Sequence, residues 1–135
     1  MTTKSFTDAE LTAALEKGGM LQLTRATVTA DIYRAAEALG FWRIAIPCAG
    51  VASRNALLSR MSDVLQFPDY FGMNLDALYD CLTDQLSNTG KKGAVLIFEG
   101  MAAMPAEARK PVLETLLDVV QTLKLKKVVL TIAVS

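Results

Sequence analysis

Phe67-Pro68-Asp69-Tyr70-Phe71-Gly72-Met73-Asn74-Leu75-Asp76-Ala77-Leu78-Tyr79-Asp80-Cys81-Leu82-Thr83-Asp84 reads as a loop that runs into a short helix. Pro68 and Gly72 punctuate the loop, and Asn74 stands where a helix N-cap belongs, its side-chain oxygen placed to accept from a backbone N–H two or three residues on. The helix is expected from about Leu75 to Leu82 or a little beyond. Leu75, Leu78 and Leu82 recur at the spacing that lines one stripe with apolar side chains, which leaves Asp76, Tyr79, Asp80, Thr83 and Asp84 on the other side. Leu75 and Leu78 are therefore assigned to the core, Phe71 to folding the loop onto it, and Cys81 to the edge of the apolar stripe as a small hydrophobe.

The outer face has an uneven charge. Between Arg60 and Lys91 the chain has no Lys or Arg but five carboxylates, Asp63, Asp69, Asp76, Asp80 and Asp84. The whole chain has 14 bases and 14 acids, so its formal neutrality conceals a surplus of five negative charges here and five positive charges elsewhere. Asp76 and Asp80 are like charges one turn apart, an arrangement that costs an isolated helix about 0.2–0.5 kcal/mol. Asp76 gains some stabilisation from the N-terminal helix dipole, and Asp80 does not. One reading is a solvated surface; the other is a face kept for a cationic partner.

The 17 residues from Phe67 to Thr83 closely resemble the signature loop and helix of the barstar family, intracellular protein inhibitors of secreted guanyl-specific ribonucleases. The order Tyr-aromatic-Gly-x-Asn-Leu-Asp-Ala-Leu-aromatic-Asp-Cys-Leu-Thr makes the resemblance specific. It implies that the loop and the outer helix face plug a nuclease active site, with carboxylates standing where substrate phosphates would sit. By motif position it makes Asp80 the principal anchor, Asp76 a second acidic contact and Tyr70 the aromatic that packs against the enzyme. Tyr79 and Thr83 are neighbours of Asp80, Gly72 lets the backbone come close to the partner or simply adopts a positive φ, and Asn74 caps the helix within the same contact set. The implied partner is a basic, extracellular-type ribonuclease.

The sequence also departs from the family pattern. Tyr79 stands where the family often has Trp, and Asp84 where barstar has a glycine. Thr122 falls where barstar's second binding region has a glutamate late in its third helix.

The rest of the chain reads as α/β. At 135 residues, with 52% hydrophobic and 21% charged residues, it suggests one soluble domain that needs no disulfide or metal staples. No apolar run approaches membrane-spanning length, and Met1 to Lys17 lacks an apolar signal core, so a cytoplasmic protein is expected. Residues 1–40 read as an N-terminal helical extension. Thr7 and Glu10 form a capping box, with Phe6 and Leu11 as a hydrophobic staple, before a helix ending near Gly18 and Gly19. Met20 to Thr24 forms a short extended piece, and a second helix from about Ala30 to Leu39 stops at Gly40.

From Phe41 onward, strands at Phe41–Ile46, Ala94–Phe98 and Lys127–Val134 alternate with helices at Asn55–Leu65, the signature segment and Pro105–Leu123. The near-continuous Val, Ile and Leu of the later strands call for parallel strands covered by helices. The expectation for residues 41–135, which the resemblance also implies, is a small three-stranded parallel sheet flanked by helices.

Other chemistries are poorly supplied. There is no histidine, so the usual general base and commonest metal ligand are missing. Asp76 and Asp80 as a hydrolase pair would lie exposed with nothing to raise either pKa. Cys48, after the first of these strands in Ile46-Pro47-Cys48-Ala49-Gly50, sits where α/β proteins often bind ligands but lacks an activating base. Lys91-Lys92 and Lys124, Lys126, Lys127 are short clusters without interleaved aromatics, which disfavours direct nucleic-acid binding. The sequence thus points to a non-enzymatic inhibitor that needs no cofactor, or to an adaptor of the same fold that holds another basic protein.

Overall fold

The structure, a computed structural model, describes residues 6–24 and 27–135. The parts of the 1–40 extension at 1–5 and 25–26 lie outside the described residues. The elements in order are α1 (Asp8–Lys17), β1 (Gly19–Gln22), α2 (Thr29–Leu39), β2 (Trp42–Pro47), α3 (Arg54–Leu65), α4 (Leu75–Ser87), β3 (Gly93–Glu99), a 3₁₀ turn (Met101–Ala103), α5 (Ala106–Leu125) and β4 (Val129–Val134).

The sheet has four parallel strands in the order β1-β4-β3-β2, which corrects the expectation of three. The fourth is the short extended piece near Met20. Gly19 to Gln22 pairs with Thr131 to Val134, more than a hundred residues away, so this strand belongs to the same sheet as the later ones. At the opposite edge, the Tyr33 hydroxyl accepts the Ala45 N–H at 2.9 Å and Pro47 offers no N–H, so β2 is poorly suited to recruit a further strand.

Strand periodicity divides the core in two. Ala94, Leu96 and Phe98 of β3, with Leu130, Ile132 and Val134 of β4, pack under α3, α4 and α5. The alternating residues Val95, Ile97 and Ala133 point to the other side, where they meet Leu11, Leu15, Ile32, Ala35 and Ala36 of α1 and α2. Both faces of the sheet are therefore covered, as a parallel sheet requires.

Local signals account for the helix boundaries. Thr7 and Glu10 make the expected reciprocal capping box at α1, and Gly40 closes α2 at φ 71°. Ser53 Oγ accepts from Ala56 N–H at 3.1 Å to start α3. Among the described residues, no helix is long and apolar enough to cross a membrane.

Candidate protein-binding face

The loop before α4 is shaped by two rings. Phe67 and Phe71 are buried with centroids 4.9 Å apart, and the Phe71 N–H bonds to the Pro68 carbonyl at 2.9 Å, closing a tight turn. Anchoring the turn at both ends lifts Asp69 and Tyr70 into solvent. Tyr70 is 82% exposed, an expensive position for an aromatic that contributes nothing to the core. Phe71 serves the core, as its apolar ring requires.

Beyond the turn, the residue with a positive φ is Met73 at 53°, while Gly72 is not in that region. A Cβ on Gly72 would meet the Asn74 Nδ2 at 3.0 Å. The glycine thus makes room for the capping residue and is not needed for a left-handed turn. Asn74 works in both directions: its Oδ1 accepts from Ala77 N–H at 2.8 Å, and its Nδ2 donates to the Gly72 carbonyl at 3.3 Å. The cap fixes where α4 begins and so which residues face outward.

α4 runs longer than its first turns suggest, because Leu86 continues the stripe formed by Leu78 and Leu82; all three are fully buried. Leu75, assigned to the core from sequence, is only half-buried at its rim. On the opposite side Asp76, Asp80 and Asp84 are exposed at successive i, i+4 positions, a stripe about 12 Å long at 1.5 Å per residue. Among the described residues, none of the five carboxylates from Asp63 to Asp84 forms an ion pair. The negative field acts on the half-buried Cys81 between Asp80 and Asp84. Its thiol pKa is pushed up, by burial first and then by those two carboxylates.

The site residues named from sequence do not all share one surface. Tyr70 and Asp80 line a cleft of about 530 Å³ between the loop and the second half of α4, and Asp84 lines it with them. Asn74 and Asp76 border a separate hollow of about 210 Å³ at the start of α4, together with Arg54. Gly72 is exposed on the connecting backbone. Tyr79 leans away from both, half-buried, and its hydroxyl shares a hydrogen bond with Thr122 of α5. Thr83 is half-buried as well, and its Oγ1 is buried with no hydrogen-bond partner among the described residues.

Asp84 and Asn88 also line the cleft and are not among the contacts that the sequence implies. Asp84 is one turn from Asp80, a spacing that would have found it. Asn88, whose Nδ2 donates to the Asp84 carbonyl at 2.7 Å, belongs to the unpredicted end of the helix.

The alternative chemistries fare badly on geometry. Cys48 is 2% exposed, and burial pushes its thiol up to about 11, with Glu99 adding to the shift and Arg60 opposing it. Such a thiol is protonated and inaccessible at neutral pH. No cluster of three or more His, Cys, Asp or Glu able to hold a metal occurs among the described residues.

A family model described as Barstar (barnase inhibitor) matches residues 42–135, from the first residue of β2 onward. A protein of Bacillus subtilis (strain 168) named "Putative ribonuclease inhibitor YrdF" is 70% identical over 23 residues, which are 17% of this chain and 25% of that protein. The match thus spans a quarter of the relative's length.

Proposed function

The chain belongs to the barstar family, and from that premise we propose that it is a stoichiometric protein inhibitor of a guanyl-specific ribonuclease, active inside the cell that makes the nuclease. The observation that carries this reading is the row of exposed, unpaired carboxylates on α4 beside the lifted ring of Tyr70. A nuclease active site holds phosphate with cationic side chains. A carboxylate is a good mimic of that phosphate, because it accepts two parallel hydrogen bonds from a guanidinium.

Asp80 is the anchor in this account, since it shares the cleft with Tyr70. Asp76 makes a second contact from the start of the helix, and Gly72 and Asn74 hold the loop between the two. Tyr79 and Thr83 support the face from beneath. The surplus negative charge steers a basic enzyme toward the face before contact.

A second reading, an adaptor for a different basic protein, draws on one observation. Thr122, where the family pattern has a carboxylate, is neutral and already engaged by Tyr79. The two readings separate in one titration of the purified chain into several small guanyl-specific ribonucleases, following RNA cleavage. Inhibition that is complete near one equivalent is expected. Undiminished cleavage by all of them would favour the adaptor.

A further inference from the structure

Five exposed lysines gather where β3 and β4 begin: Lys91 and Lys92 before β3, and Lys124, Lys126 and Lys127 at the end of α5. The Val129 N–H bonds to the Lys92 carbonyl at 3.0 Å, which brings the two groups together. Among the described residues none of these lysines forms an ion pair. The C-terminal dipole of α5 favours cations at its own end, but it does not account for Lys91 and Lys92. Nor does it account for Lys127 at φ 63°, where glycine would be unstrained.

Lys92 and Lys127 rim a hollow of about 540 Å³ floored by Leu39, Phe41 and Val129, and Glu16 adds one carboxylate to its lining. Leu125, between Lys124 and Lys126 in the chain, is 87% exposed. Leu125 and Tyr70, at 82%, are the two most exposed large apolar side chains among the described residues. Each charged patch thus carries a hollow and, on its own segment of chain, one strongly exposed apolar side chain.

We propose that the lysine edge docks the Tyr70, Asp80 and Asp84 face of a second copy of this chain, so that the protein associates head to tail with itself and covers its own binding face. This rests on the reading of that face as a docking surface. Charge complementarity selects the occupant: five exposed lysines gather on one patch and the exposed carboxylates of Asp80 and Asp84 on the other, and zero net charge leaves no overall repulsion between copies. The one aromatic in that floor, Phe41, is buried, so the hollow presents no exposed ring on which nucleobases could stack. Because the two halves of the contact are different surfaces, it builds open chains or rings. A nuclease and a second copy then compete for the same carboxylates, and nuclease binding dissolves the assembly.

Sedimentation velocity on the full chain tests this, at about 0.05 M salt and again at about 0.5 M, where screening shortens the reach of charge to a few ångströms. The expected mass rises above 14.6 kDa with concentration at low salt and returns to that value at high salt. Lys92→Ala/Lys127→Ala and Asp80→Ala/Asp84→Ala should each weaken self-association at least about tenfold. Mixed together, these two variants should form a 1:1 complex and nothing larger, since each keeps one competent half.

A mass that stays at one chain under all conditions overturns the proposal, as does association that survives either pair of substitutions. Binding of a fluorescent single-stranded RNA that depends on Lys92 and Lys127, without self-association, overturns it in favour of a nucleic-acid site. Nuclease titration of the same samples keeps the two readings apart. A monomer that inhibits refutes self-association alone, and an assembly that never inhibits refutes the inhibitor reading alone.

Discussion

The helical layers on the two faces of the sheet treat their acids differently. On the α1 and α2 side three of the acids meet arginines: Arg34 lies 2.9 Å from Asp31 and 3.6 Å from Asp8, and Arg43 lies 3.7 Å from Glu37. Such exposed pairs add about 0–1 kcal/mol each, so their importance is not stability. They close the electric field within the chain. On α4 the carboxylates of Asp76, Asp80 and Asp84 form no ion pair among the described residues, Asp84 Oδ1 accepting only from Asn88 Nδ2 at 3.3 Å, and the like-charge repulsion along the helix is tolerated. One layer pairs three of its acids within the chain, while in the proposed reading the other keeps its carboxylates for a cationic partner.

If that contrast is right, each layer should fail in its own way. The largest effect is expected from the closed layer. A chain starting at residue 41 lacks β1 and bares Val95, Ile97 and Ala133, which α1 and α2 otherwise cover. The lost burial includes Leu11, Leu15 and Ile32, each worth about 1.5–3 kcal/mol, against a total stability of about 5–15 kcal/mol for a domain. The fragment should show no cooperative thermal transition by circular dichroism. A sharp transition would mean that the α1 and α2 layer is dispensable.

The next effect concerns the open layer. The association rate with a nuclease should fall at least about tenfold between low salt and about 0.5 M, because opposed patches steer the encounter. A rate unchanged by salt would show that α4 is not the docking face.

The smallest effect separates support from contact. Tyr79→Phe removes the hydroxyl that bonds Thr122 and should cost about 0.5–1.5 kcal/mol in denaturant unfolding. Unfolding unchanged, with affinity reduced severalfold, would place the Tyr79 ring on the partner.

Much of this was legible in the sequence, and the misses have physical causes. The Asn74 cap, the Thr7 and Glu10 box and the Gly40 stop are local devices, so spacing alone locates them. The strand Gly19–Gln22 is short and lacks the Val and Ile run of β3; it is defined by pairing with β4 at the far end of the chain, which no local pattern encodes. Tyr79 falls on the outer side by helical periodicity, yet its hydroxyl finds a partner 43 residues on, and that contact turns it inward. The division of the site into a Tyr70–Asp80–Asp84 cleft and a separate Asp76 hollow depends on how the loop folds back through Phe67 and Phe71. The charges themselves were visible, but this grouping was not.

The inhibitor account is tested most directly by measuring the affinity of Asp80→Ala and Asp31→Ala for the same guanyl-specific ribonuclease beside the unaltered chain. Each variant removes one helical carboxylate, one from the open layer and one from the closed layer. The account predicts that Asp80→Ala loses about 2–5 kcal/mol of binding, the range for truncating one member of a desolvated charge pair, while Asp31→Ala binds like the parent. Equal affinities for the two variants would contradict it, because the carboxylates of α4 would then be no more committed to a partner than those already paired within the chain.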